Sequence, residues 1–170
     1  MCIRDRVYTQ PPNKSNRGYK IIKSPIHTFC EENDLKVRTP ENFNNLDDEK
    51  IILEKLEADI AIVVAYGQIL PKGILDVCDK GFINIHASLL PKLRGAAPIQ
   101  RSIMNLDNET GISIMQINEK LDQGKVYSQY KININRDDNA EDLSFRLSNL
   151  AAEKIVDDIE NIFANKKKFF

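Results

Sequence analysis

An α/β layered fold with a largely parallel sheet is the architecture this sequence predicts, and three observations carry it. Short apolar runs alternate along the chain with amphipathic stretches of helical period. One run, Asp59-Ile-Ala-Ile-Val-Val-Ala65, is continuously aliphatic, as expected of a strand covered on both faces. Near the end, apolar residues recur three and four apart over a long stretch, a spacing that a helix gathers onto one face.

The elements follow in order. Met1-Cys-Ile-Arg-Asp-Arg6 is too short and too charged for a signal peptide, and residues 1–6 are expected to be non-native. Val7-Tyr8-Thr9 reads as the tail of a strand. Residues 10–23 read as a polar, basic loop holding Pro11, Pro12 and Gly18. Ser24-Pro25 then supplies an N-cap and a first-turn proline for a helix reaching about Asn33. Val37-Arg38 forms a short strand, and Asp47 or Asp48 caps a helix carrying Ile51, Ile52, Leu53 and Leu56. After the aliphatic strand, Pro71 opens a short helix through Ile74, Leu75 and Val77, and a further strand ends at His86. Residues 96–104 are helical. Gly111-Ile-Ser-Ile-Met-Gln-Ile117 and residues 126–134 are strands, the latter with clear alternation. Asn139 caps the long helix, whose stripe is Leu143, Leu147, Leu150, Ala151, Ile155, Ile159, Ile162 and Phe163. Residues 7–165 are expected to form one domain, with residues 166–170 leading out of it.

Composition excludes several classes. At 170 residues and 19.4 kDa the chain can bury a sizeable core. Hydrophobic content of 42% beside 29% charged residues argues against disorder. No apolar run approaches the roughly 20 residues that span a bilayer. Cys2, Cys30 and Cys78 are odd in number and widely spaced, so they suggest neither a disulfide framework nor a Cys-x-x-Cys metal site. A net charge of -1 excludes a globally basic nucleic-acid binder while leaving room for a local patch. His27 and His86 are the only histidines, too few for a histidine-rich metal site. Gly67 and Gly73 do not form a Gly-x-Gly-x-x-Gly phosphate cradle.

Chemistry concentrates where a hydrophobic strand runs into a loop, in Gly81-Phe-Ile-Asn-Ile-His-Ala-Ser-Leu-Leu-Pro-Lys-Leu-Arg-Gly95. Alternation puts Asn84 and His86 on one face and Ile83 and Ile85 on the other. An amide and an imidazole roughly 6 to 7 Å apart along a strand can both reach one carbonyl group. In open α/β sheets, ligands bind beyond such strand ends. Asp122, in Asn118-Glu-Lys-Leu-Asp-Gln-Gly124, follows the next strand and can return a carboxylate to the imidazole. Taken alone, the triplet also fits a structural histidine and a turn.

Asn84-x-His86-x-Ser88-Leu89-Leu90-Pro91, followed by Leu121-Asp122-x-Gly124, resembles the signature of the folate-dependent formyltransferases. Within them, Val63-Val-Ala-Tyr-Gly-Gln-Ile-Leu-Pro71 and Lys92-Leu-Arg-Gly-Ala-Ala-Pro-Ile-Gln-Arg101 are most similar to the branch that formylates methionyl-tRNA. The resemblance implies a Rossmann-like formyltransferase fold lacking its first strand and helix, and a tRNA-holding domain beyond residue 170. It implies catalysis by Asn84, His86 and Asp122 without a metal. Ser88, Leu89, Leu90 and Pro91, with Gln68, Ile69 and Leu70, would meet the folate. The loop over residues 10–23 would touch the acceptor stem of initiator tRNA through Lys14, Arg17, Lys20 and Lys23, which attract phosphate without reading sequence. The implied reaction moves a formyl group from 10-formyltetrahydrofolate to the amine of methionyl-tRNA, in the cytoplasm of a bacterium or an organelle of bacterial origin. The chain is expected to act as a monomer. Lys125 departs from the family, which commonly has an acid there. Two other classes stay open: an enzyme formylating a sugar amine or hydrolysing formyl-folate, and a noncatalytic RNA-binding module built on the basic loop.

Overall fold

A computed structural model describes residues 6–15, 20–43 and 46–164. Expectations for residues 1–5, Arg17 and residues 166–170 lie outside the described residues. In chain order the elements are β1 (Val7–Tyr8), β2 (Asn13–Ser15), β3 (Lys20–Ile22), α1 (Pro25–Glu32), β4 (Val37–Arg38), α2 (Leu46–Glu54), β5 (Ala61–Val63), α3 (Lys72–Leu75), β6 (Phe82–His86), α4 (Pro98–Met104), β7 (Glu109–Gln116), β8 (Val126–Asn133) and α5 (Ala140–Phe163). They fall into two compact units, one built from the chain up to Ala58 with Tyr66–Val77, the other from Asp59–Ala65 with Cys78 onward.

In the first unit β1 runs parallel to β4, with Val7 opposite Val37 and Tyr8 opposite Arg38. Helix α1 starts as its sequence dictates. Pro25 opens it, and the Ser24 hydroxyl accepts the His27 N–H at 3.1 Å, satisfying one of the donors a helix start leaves unpaired. Residues 10–23 are not wholly loop, because β2 and β3 pair there as an antiparallel hairpin with Lys14 opposite Ile21. Pairing satisfies backbone groups that a loop would leave to water. Asp47 and Asp48 lie inside the first turn of α2 instead of capping it, a position that suits the Asp48 carboxylate because the helix dipole is positive there. The rings of Tyr8, Phe43 and Tyr66 form a chain with centroids 6.4 and 6.2 Å apart. Tyr8 donates its hydroxyl to Glu49, which also pairs with Arg38. Burial, reinforced by the Glu49 charge, holds the Tyr8 phenol well above its ordinary value. Cys30 is buried here as a small apolar residue.

The second unit contains a four-stranded sheet in the order β5-β6-β7-β8. Parallel pairing joins β5 to β6, whereas β7 runs antiparallel to both its neighbours. The turn between β7 and β8 is too short for a crossover, so these two form a hairpin. Alternation divides the sheet faces. Ile83 packs with Ile114, Tyr127 and Ile162, and Ile112 packs with Leu143 and Leu147, so this face lies under α5. Asn84 and His86 consequently face away from that helix.

Helix α5 begins with the expected cap. Asn139 accepts the Asp142 N–H and Asp142 returns its carboxylate to the Asn139 N–H, a reciprocal capping box. Leu143, Leu147 and Ile162 of its stripe are buried, while Phe163, expected to join them, is 40% exposed in the last turn. Asp158, fully buried, interrupts the apolar stripe; it accepts the Ser128 hydroxyl at 2.5 Å and the Tyr130 hydroxyl at 3.0 Å. These bonds tie α5 to β8. Asp158→Ala would leave both hydroxyls without this acceptor, and is expected to lower the unfolding free energy by roughly 1 to 3 kcal/mol in denaturant titrations. Among the described residues, no helix is long and apolar enough to cross a membrane.

Candidate active site

The site grows from the end of β6. His86, opposite Ser113 on β7, is the last ladder residue of the strand, and the chain then turns away through Ala87. The His86 residue is 7% exposed. Nε2 lies 3.0 Å from the Leu93 carbonyl oxygen. A carbonyl can only accept, so Nε2 carries a hydrogen and the tautomer is set by the backbone. On the other side Nδ1 stands 3.7 Å from Asp122 Oδ2. The same carboxylate oxygen accepts the Gly95 N–H at 2.8 Å. One loop thus touches both members of the pair, His86 through the Leu93 carbonyl and Asp122 through the Gly95 amide. Asn84 sits two residues back on the same strand face, half-buried, its carboxamide engaged by no other described residue.

Backbone conformation supports this arrangement at a cost. Leu93 (φ 56°), Ala97 (φ 56°) and Asp122 (φ 48°) all occupy the left-handed region. Each such residue with a Cβ costs about 1 to 2 kcal/mol, a form of strain that clusters at functional sites. Gly124 has another constraint. A Cβ there would stand 1.6 Å from the Gln116 carbonyl oxygen, so only glycine allows the hairpin to close directly behind Asp122.

The structure brings His86 and Asp122 together and sets Asn84 beside them. The Ser88–Pro91 segment, expected as a binding loop, is itself tightly held. Ser88 is fully buried, and its hydroxyl donates to the Lys92 carbonyl at 2.6 Å. Leu90 is buried, Leu89 is half-buried and Pro91 is exposed. Gln68, Ile69 and Leu70 belong to the first unit. Gln68 donates to the Pro40 carbonyl at 3.0 Å, Leu70 is buried and Ile69 is 89% exposed. The Gln68 Oε1 and Tyr66 hydroxyl atoms are buried without a hydrogen-bond partner. Burial, followed by the Glu49 charge, pushes the Tyr66 phenol up to about 12. Of the basic residues, Lys23 is spent on Glu31 at 2.6 Å, while Lys14 and Lys20 lie on the two strands of the hairpin without facing each other in the ladder.

Sequence reasoning missed Ser113 and Gln129, whose side chains hold the Ser88–Pro91 backbone. A serine inside an apolar strand was the available signal. The Leu93 carbonyl and Gly95 amide had none, since every residue carries such groups.

The formyl transferase family pattern matches residues 5–159. A methionyl-tRNA formyltransferase from Pelagibacter ubique (strain HTCC1062) is 59% identical over 163 residues, covering 96% of this chain and 53% of that protein. The chain therefore spans about half the length of the curated relatives it matches. Among solved structures, phosphoribosylglycinamide formyltransferase from Streptococcus pneumoniae TIGR4 superposes with a TM-score of 0.74 at 17% identity, covering 95% of this chain and 99% of that one. The formyltransferase PseJ from Anoxybacillus kamchatkensis, in complex with a formamido sugar nucleotide and tetrahydrofolate, gives 0.66 at 22% identity, with 97% and 80% covered. At these identities the structural likenesses show the fold alone, and it is the α/β fold the sequence predicts.

Proposed function

We propose, from the premise that this chain belongs to the formyl transferase family, that it transfers a formyl group from 10-formyltetrahydrofolate to the amino group of methionyl-tRNA. The observation that carries this reading is the His86 ring held between the Leu93 carbonyl and Asp122, with Asn84 on the same strand face.

The folate supplies the one-carbon unit. Asn84 donates N–H bonds to the formyl oxygen as the amine attacks and negative charge gathers there; its amide does not titrate, so the donors persist at any working pH. His86 adds the N–H of Nδ1 to the same charge when the ring carries both protons, since its Nε2 hydrogen is held by the Leu93 carbonyl. Asp122, anchored by the Gly95 N–H, stabilises the ring when it carries both protons and helps pass the proton that the attacking amine loses to the folate nitrogen, whose bond to the formyl carbon breaks as the tetrahedral adduct collapses to formylated amine and tetrahydrofolate. An α-amine titrates near pH ~8, so part of it is already free to attack at neutral pH.

The residues assigned to folate fit that ligand in kind. Gln68 Oε1 is a buried acceptor without a partner, the type of atom that an N–H on a pterin edge would satisfy. The Ser88–Pro91 segment offers a backbone held by hydrogen bonds, with the apolar side chains of Leu89 and Pro91 at least partly exposed. Ile69, almost fully exposed, is a large apolar surface that a ring system would cover. Lys14, Arg17, Lys20 and Lys23 are assigned to tRNA phosphates, with Lys23 exchanging Glu31 for phosphate on binding. The protein is assigned to the bacterial cytoplasm and to action as a monomer.

An acceptor panel tests the reading. Offered 10-formyltetrahydrofolate with methionyl-tRNA, an amino-sugar nucleotide or water alone, the intact protein is expected to formylate the aminoacyl-tRNA, measured as N-formylmethionine after deacylation. Faster formylation of the sugar amine, or folate turnover without an acceptor, would replace this assignment by one of the other two enzymatic readings.

A further inference from the structure

The binding loop after β6 is fastened from beneath by two residues that take no part in the chemistry above. Ser113 is fully buried on β7, opposite His86 on one side and opposite Gln129 of β8 on the other. Directly opposed residues share a face, so His86, Ser113 and Gln129 form a row across three strands, on the side away from α5. The Ser113 hydroxyl is saturated: it donates to the Ser88 carbonyl at 2.6 Å, and it accepts the Leu90 N–H and the Gln129 amide, each at 2.9 Å. Gln129 Nε2 also donates to the Leu90 carbonyl at 2.8 Å. Both backbone groups of Leu90 and the carbonyl of Ser88 are therefore terminated by side chains, where a continuing strand would have used a ladder. From there the chain is closed by the bonds of Ser88 and Leu89 to Lys92, and the next residue is Leu93, whose carbonyl holds His86.

We propose that Ser113 and Gln129 are positioning residues for formyl transfer: together they set the backbone that presents the formyl donor to His86 and fixes the His86 ring through Leu93. This rests on the formyl-transfer reading of the same site. Packing alone does not account for the pair. An apolar strand interior has no need of a serine, and Gln129 reaches across the sheet face to a loop carbonyl instead of pairing locally. A network built on a fully buried, saturated hydroxyl specifies one backbone arrangement because any other leaves polar groups unpaired.

The test uses Ser113→Ala, Gln129→Met, their combination and Ser113→Thr in the intact protein. Alanine and methionine remove the bonds, while threonine keeps the hydroxyl. Each of the first two is expected to raise KM for 10-formyltetrahydrofolate roughly tenfold with a smaller change in kcat. Combined, they should cost less than the product of the two, because both act on Leu90. Ser113→Thr should stay near wild type. In ¹⁵N-labelled protein the His86 Nε2 resonance should move in Ser113→Ala, reporting a weakened bond to Leu93. An unchanged KM together with an unmoved His86 resonance, even with a lower Tm, would overturn the proposal and leave the pair a purely structural role. Should the wild-type protein transfer no formyl group, the functional reading fails by itself, and the ring resonance still decides whether Ser113 positions His86.

Discussion

His86→Ala is expected to reduce the rate of formyl transfer by roughly 10² to 10³-fold, the loss typical when one donor to a developing oxyanion is removed. Little of that loss should come from unfolding. The ring is buried, but alanine leaves the alternation of β6 intact, and Ile83 and Ile85 still face α5. The variant does release the Leu93 carbonyl and takes the ring away from Asp122, whose carboxylate keeps the Gly95 N–H. Because the missing donor acts on charge that appears in the transition state, kcat should fall while KM for either substrate moves little. Asp122→Asn is expected to resemble it in direction. An amide there can still accept the Gly95 N–H but cannot stabilise a charged imidazole. Stopped reactions analysed for formylated amine, together with thermal unfolding of each variant, separate lost chemistry from lost fold.

Gly124→Ala should have the largest effect on the fold itself. The added Cβ would meet the Gln116 carbonyl oxygen at 1.6 Å and the Met115 methyl at 3.2 Å. The nearest obstacle is backbone and cannot swing aside as a flexible side chain would. Relief requires the β7–β8 hairpin to open where Gln116 donates its N–H to the Lys125 carbonyl. Overpacking commonly costs about 1 to 3 kcal/mol and sometimes more, and a clash with backbone belongs at or above the top of that range. Asp122, two residues earlier, would move with the turn, so the folded fraction should also lose activity. Gly73→Ala provides the contrast. Nothing lies within 4 Å of a Cβ at that position in α3, and alanine is the better helix former. Denaturant titrations should show the first variant strongly destabilised and the second unchanged or slightly stabilised.

Much of this architecture was legible in the residues, for identifiable reasons. Ser24 before Pro25 and Asn139 before Asp142 mark helix starts by local hydrogen bonding, which needs no tertiary information. The strand ending at His86 announces its two faces by alternation, and the observed packing of Ile83 and Ile85 follows from it. Strand direction is different. Alternation has no sign, and it is the short connection between β7 and β8, not the strand residues, that makes an antiparallel hairpin of them. The hairpin within residues 10–23 was hidden by the prolines and charges around it. Asp158 reads as a polar interruption of a helix stripe until Ser128 and Tyr130 are known to face it.

The site divides in the same way. Asn84 and His86 could be paired from spacing alone and Asp122 proposed from its place in the loop after the next strand, and the fold then sets the carboxylate 3.7 Å from the ring. Leu93 and Gly95 act through main-chain atoms and leave no trace in residue identity. Ser113 acts through a side chain, yet its role depends on a loop that only the folded chain brings above it.

The most direct test of the central claim is the single-turnover rate of formyl transfer to methionyl-tRNA by the Asn84→Ala/His86→Ala double variant, measured beside both single variants and wild type. Side chains that act as one unit on the same charge are strongly non-additive. The double variant should therefore be nearly as slow as the slower single variant, far below wild type and without loss of fold. A double variant that transfers formyl at the wild-type rate would contradict the account.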